Sequence, residues 1–229
     1  MLKPKKKIPK REMKEDKLVS TYFEATNWYE ENKKMVSSVF TGLIVVIVAA
    51  VVIRNNMVSS NEKATSEFSK VMKYYDEGNY EAAINGVPQE NVRGLQAVVN
   101  DYGSTKSGNF AKFYLANSYF ANSSFDKALP LYLEVSVNED LLQASSLAGA
   151  AACYEAKRNS ASAATYYEKA AMVGKGNTQA PEHLQHAAMN FAASGNATKA
   201  IELLKKIKKD YPTSSIAREI DRYIAVFKS

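Results

Sequence analysis

The residues best equipped for chemistry in this sequence are two histidines and one cysteine. His183 and His186 stand in the run EHLQH, an i, i+3 spacing that puts both on one face of a helix, with Glu182 beside them. That trio could contribute to a metal site, but no third strong ligand follows in the sequence, and the pair reads as part of a structural helix with no metal bound. Cys153 is the only cysteine, so an internal disulfide is excluded and the thiol reads as core. Asn122 and Asn196 head Asn-X-Ser/Thr sequons at turns, which matter only in a glycosylating pathway. No phosphate-binding glycine loop, G-x-S-x-G elbow or H-E-x-x-H helix occurs. The chain reads as a non-enzyme with no catalytic residues and no cofactor.

The elements that carry these residues are helices. Of 229 residues 46% are apolar and 24% charged, with only 10 Gly and 6 Pro, too few turn formers for a collagen-like or turn-dense all-β chain. The net charge of +6 is concentrated at the start: residues 1–34 hold ten Lys/Arg against six Asp/Glu. Lys3, Lys5, Lys6, Lys7, Lys10 and Arg11, with Pro4 and Pro9 and no acid among them, predict a basic disordered arm over residues 1–17. Such an arm could meet nucleic acid or anionic lipid, or serve as a solvated topology signal. The last is the preferred reading, and no specific nucleic acid is expected.

From Met35 to Ile53 run nineteen residues without a charge, bounded by Lys33 and Lys34 before and Arg54 after. As a helix they reach about 28 Å, close to the ~30 Å of a bilayer's hydrocarbon. Leu43 to Ile53 is apolar all round, where a core helix would keep a polar face. A single transmembrane helix is expected over residues 35–54, uncleaved because the exit lacks small residues. Ten Lys/Arg precede it and four follow within twenty residues, which puts the N-terminus in the cytoplasm and the rest on the far side. Ahead of the span, Leu18, Tyr22, Ala25, Trp28 and Tyr29 recur at helical spacing. They predict an amphipathic helix over 18–34 that lies along the membrane face, or simply extends the span, with Tyr22, Trp28 and Tyr29 as contacts for a membrane partner. A polar linker is expected over 55–60.

Residues 61–229 show internal periodicity. GNYEAAI, SSFDKAL, RNSASAA and GNATKAI align on Ala83, Ala128, Ala163 and Ala200, spaced by 45, 35 and 37 residues. These segments resemble the tetratricopeptide repeat. Twelve residues before each alanine that family places a small residue, and here stand Val71, Ala116, Ala151 and Ala188; three further on it places an aromatic, matched by Tyr74, Tyr119, Tyr154 and Phe191. Tyr132, Tyr167 and Leu204 fill the bulky position four after the alanine, and Pro212 ends the last repeat. The first repeat breaks at Asn85, Gly86, Val87 and Pro88, an insertion of about eleven residues after which a helix resumes near Val92. From residue 216 an amphipathic helix caps the stack. The expected fold is all-α: an amphipathic helix, one transmembrane helix, a solenoid of about four helical hairpins and a cap.

The layout as a whole, with KLVSTYFEATNWYEENKK ahead of one span and repeats beyond it, resembles the ancillary subunit of the SecYEG translocon. DYGSTKSGNFAKFYLANSYF and the broken first repeat are similar to anchored tetratricopeptide proteins of Bacteroidetes-type bacteria. An outer-membrane assembly lipoprotein would need a lipid-modified cysteine near its start, which Cys153 cannot supply. The resemblance implies a bacterial inner-membrane protein with its repeats in the periplasm. Its implied partners are translocon subunits, periplasmic chaperones or exported client chains. The tetratricopeptide resemblance further implies a peptide groove on the first helices, at Phe68, Met72 and Tyr75, then Phe113, Asn117 and Phe120, then Glu155, Gln185 and Met189. The aromatic ones among these could equally pack against neighbouring helices. A structural scaffold of another envelope complex is the alternative function.

Overall fold

The computed structural model describes residues 10–174 and 177–228, with the backbone alone for residues 10–16, 18 and 228. The first nine residues of the expected basic arm lie outside the described residues. In order, the elements are α1 (Lys10–Asp76), α2 (Tyr80–Asn85), β1 (Gly86–Val87), a 3-10 turn (Pro88–Glu90), β2 (Val92–Arg93), α3 (Leu95–Tyr102), α4 (Lys106–Ala121) and α5 (Phe125–Glu134). There follow α6 (Asp140–Ala156), α7 (Ser160–Met172), α8 (Ala180–Ala193), α9 (Ala197–Asp210), a second 3-10 turn (Ile216–Arg218) and α10 (Ile220–Lys228). The chain divides into two units, residues 1–56 and 57–229.

The first unit, as far as it is described, is the leading part of α1. Among the described residues helix runs through Lys10–Lys17, expected as disordered arm, and through 55–60, expected as linker. The reason is the composition: between Pro9 and Gly78 the only residue that weakens a helix strongly is Gly42. α1 is long and apolar enough to cross a membrane, and its apolar window is unburied. Tyr22 (66% exposed), Trp28 (55%) and Tyr29 (51%) all stand on its surface.

The second unit is a helical-hairpin array of the kind the repeats predict. The end of α1 shares one core cluster with α2, α3 and α4, while α4 pairs with α5, α6 with α7 and α8 with α9, after which the 3-10 turn and α10 close the stack. Ala83, Ala128, Ala163 and Ala200 are all fully buried, as are Val71, Ala116, Ala151 and Ala188. Small side chains at these places let the two helices of a hairpin, and successive hairpins, approach to close-packed distance. Larger apolar residues fill what remains: Leu95, Val98 and Leu115 at one end, Leu184, Leu203, Leu204 and Ile207 at the other. Each contributes about 1.5–3 kcal/mol by burial. Ile220 of α10 is fully buried against the last hairpin, which is how the cap keeps water from the open end.

The four turns inside the hairpins are built alike. The residue five before each aligned alanine has left-handed backbone: Gly78 (φ 75°), Ser123 (φ 57°), Arg158 (φ 58°) and Gly195 (φ 87°). The next residue's N–H donates back to the first helix, to the carbonyls of Tyr74, Tyr119, Tyr154 and Phe191 at 2.8–2.9 Å. That bond satisfies a carbonyl the helix end would otherwise leave without a partner. At Asn79, Asn159 and Asn196 the side-chain oxygen then accepts the N–H three residues on, opening the second helix.

The insertion in the first repeat is more ordered than the turn expected from sequence. Gly86 pairs with Arg93 and Val87 with Val92 in a two-residue antiparallel ladder, closed by the 3-10 turn at Pro88 and by Asn91 with φ 54°. α3 then starts at Leu95 and completes the interrupted second helix, burying Leu95 and Val98 against Leu115. Below it, Ser107 N–H donates to Asn61 Oδ1 at 2.9 Å and the Ser107 and Thr65 hydroxyls meet at 2.7 Å, joining the end of α1 to the start of α4.

Candidate functional site

The first helices of the array, the end of α1 with α4, α6 and α8, carry the nine positions that the tetratricopeptide resemblance marks as a groove. On the first two of these helices the aromatic members touch one another's neighbours. Phe68 lies 5.5 Å from Tyr114 and Tyr75 stands edge-on to Tyr114 at 4.8 Å, centroid to centroid. Phe113 meets Tyr114 at 5.6 Å and Tyr132 at 6.0 Å, and Phe120 meets Phe125 at 5.2 Å. Aromatic pairs of this kind add to the stabilisation from burial: Phe68 and Tyr75 join repeat one to repeat two through Tyr114, Phe113 and Phe120 join the two helices of repeat two, and each ring keeps part of its surface in solvent. Met72 and Gln185 are half-buried, and Met189 is 41% exposed.

The two polar members are tied into hydrogen-bonded clasps. Asn117 donates from Nδ2 to Tyr75 Oη at 3.3 Å and accepts at Oδ1 from Tyr132 Oη at 2.6 Å. It therefore links the first helix of repeat one to the second helix of repeat two. Glu155 accepts at Oε2 from Tyr167 Oη at 3.0 Å and at Oε1 from Asn190 Nδ2 at 3.1 Å, linking the third repeat to the fourth. Burial raises the pKa of Tyr75 and of Tyr132, and burial with the Glu155 carboxylate raises that of Tyr167, so all three hydroxyls remain neutral at physiological pH.

Tyr114, Tyr132, Tyr167, His186 and Asn190 belong to this face and were absent from the sequence-derived set. Tyr132 and Tyr167 carried a signal, since both stand four residues after an aligned alanine and take the same role. Nothing in the sequence marks Asn190 as the partner of Glu155, because that contact depends on how far α8 is rotated against α6.

The histidine pair separates in function. His183 is buried with Nε2 lacking a hydrogen-bond partner, and burial lowers its pKa; His186 is exposed and stacks on Tyr167 at 4.9 Å. Among the described residues no group of three or more His, Cys, Asp or Glu is placed to hold a metal ion. Cys153 is fully buried, and burial pushes its thiol up to about 11, far from the range of a reactive thiolate.

No protein-family model and no curated protein matches the chain. Solved structures do. The kinesin light chain nearly identical TPR-like repeats of Podosopora anserina superpose with a TM-score of 0.52 at 17% identity, over 73% of this chain and 86% of that one. A single-substitution form of the same protein gives 0.53 at 17% identity, over 73% and 85%. At that identity the likeness carries the fold alone, a TPR-like helical repeat.

Proposed function

We propose that this chain is a membrane-tethered protein-binding module, an accessory and chaperone-like factor at the protein-export translocon of a bacterial inner membrane. On this reading α1 crosses the membrane once with its N-terminus in the cytoplasm, Tyr22, Trp28 and Tyr29 meet an integral-membrane partner, and the repeats receive client chains or chaperones in the periplasm. The observation that carries it is the pairing of one unburied apolar helix, flanked by ten Lys/Arg on one side and four on the other, with a hairpin array of interaction type.

The test is purification of the full chain from mild detergent with identification of what accompanies it. Translocon subunits should co-purify, and replacing Trp28 and Tyr29 by Ala should lose them while the repeats still melt as before. Protease added to spheroplasts should remove the repeats and leave a short protected fragment; repeats that survive in intact spheroplasts would overturn the orientation. A structural scaffold in another envelope complex is the second reading, favoured by the engagement of Phe68, Tyr75 and Phe113 with neighbouring rings. It calls for one large permanent interface in place of modest client affinity.

A further inference from the structure

The nine groove positions contain a single charged residue, Glu155, and no lysine or arginine. The cations of the last hairpin stand on its second helix instead, where Lys205, Lys206 and Lys209 of α9 are exposed. These nine positions therefore offer aromatic, apolar and amide surface with one negative charge. Such a face cannot hold an acidic chain end, which needs positive or strong donor groups to replace its lost hydration.

Glu155 is itself set up as an acceptor of charge. Its side chain is exposed, and both carboxylate oxygens are held by neutral donors, Tyr167 Oη and Asn190 Nδ2. These donors fix the direction of the carboxylate and leave its charge uncompensated; no ion pair to Glu155 forms among the described residues. Met189, next in sequence to Asn190, and Phe120, at the place in repeat two equivalent to Glu155 in repeat three, supply apolar surface on the same set of helices. A carboxylate oriented in advance spares a cationic partner the cost of ordering it.

Resting on the reading of this face as a polypeptide site, we propose that its occupant is a chain segment carrying a lysine or arginine beside apolar residues, with the cation against Glu155. The exposed setting limits the electrostatic gain to the scale of a surface ion pair, roughly fivefold in affinity. The apolar neighbours supply the remainder.

The experiment uses the full chain in a non-ionic detergent and three fluorescein-labelled ten-residue peptides of Leu and Phe around one variable centre: Arg, citrulline or Glu. Anisotropy is read against empty micelles. The Arg peptide should bind about fivefold more tightly than the citrulline peptide, and the Glu peptide more weakly than both. Glu155→Gln should abolish the Arg-to-citrulline difference. Equal binding of the Arg and citrulline peptides overturns the inference and leaves the face standing as an apolar polypeptide site. Binding of none of the three overturns the polypeptide reading itself. Should Glu155→Gln melt early, the Arg-to-citrulline comparison on the unaltered chain still decides.

Discussion

Gly149 of α6 lies directly under the ring of Tyr132 of α5: a Cβ built on Gly149 would stand 2.5 Å from Tyr132 Cε1 and 2.6 Å from its Cζ. One hairpin further on, Tyr167 stacks on His186 with the rings 22° from parallel. Gly149 and His186 hold the same place in their repeats, fourteen residues before Ala163 and Ala200, and the two tyrosines each follow an aligned alanine by four. The joint between successive hairpins is thus a second-helix tyrosine laid on the next first helix, over a glycine in one case and a flat imidazole in the other.

Gly149→Ala should therefore destabilise the array by about 1–3 kcal/mol through overpacking, even though alanine alone would favour a helix interior by about 1 kcal/mol. Tyr132 is buried and its hydroxyl is donated to Asn117, so the ring has little freedom to step aside. Urea unfolding of the purified protein checks this. A gain in stability would show that the ring moves.

The left-handed turn positions give the opposite sign. Ser123 and Arg158 occupy backbone that glycine adopts without strain, at places where the other two repeats already have Gly78 and Gly195. Left-handed backbone costs a side-chain-bearing residue about 1–2 kcal/mol, and glycine's greater freedom in the unfolded chain returns about 0.4–1 of it. Arg158→Gly should stabilise by about 0.5–1 kcal/mol, visible as a rise in Tm, and Gly195→Ala should lower it.

Those turns show how much of the fold the sequence displays. The alanine alignment, the aromatic places and the asparagine caps are local and periodic, so four hairpins with their packing residues are legible from residue types alone. The β1–β2 ladder is not, because two-residue strands are too short to show alternation, and Gly86 and Pro88 signal only that a helix stops. The joint expected over 55–60 reads as polar, but Asn and Ser there only weaken a helix that Met57 supports and that is anchored by sequence on both sides. Of the candidate site, the positions followed from the repeat register. Their hydrogen bonds did not, since Asn117 reaches Tyr75 forty-two residues earlier and Tyr132 fifteen later.

Acid should weaken the fourth repeat through His183. Burial lowers its pKa in the folded chain, against the smaller opposing influence of Glu182, so the unfolded chain binds the proton more readily. Where the unfolded state holds more protons, stability rises with pH. The stability present above the ordinary histidine pKa of about 6.5 is lost as pH falls through that value toward the lowered folded one. Urea midpoints measured from pH 7.5 down to 5 should drop for the natural chain. His183→Leu, which removes the titrating group and a buried nitrogen without a partner, should flatten that part of the curve; an unchanged slope would place the acid sensitivity elsewhere.

Asn117 has both ends of its amide engaged, by Tyr75 and Tyr132, which makes it a clasp between repeats before it is anything to a ligand. Asn117→Ala leaves the largely buried Tyr132 hydroxyl without its partner and should cost about 1–3 kcal/mol, whereas Tyr132→Phe removes donor and need together and should cost about 1 kcal/mol. Because the two changes delete one interaction, the double variant should cost less than their sum by about 0.5 kcal/mol or more. Additivity within ~0.3 kcal/mol would mean that the hydroxyl finds another acceptor once the amide is gone. The cycle also separates clasp from ligand contact. If Asn117 acts only by joining repeats, Tyr132→Phe and Asn117→Ala should change peptide affinity in proportion to what each costs in stability. A direct contact with bound chain would show as a loss of affinity in Asn117→Ala alone, beyond that proportion.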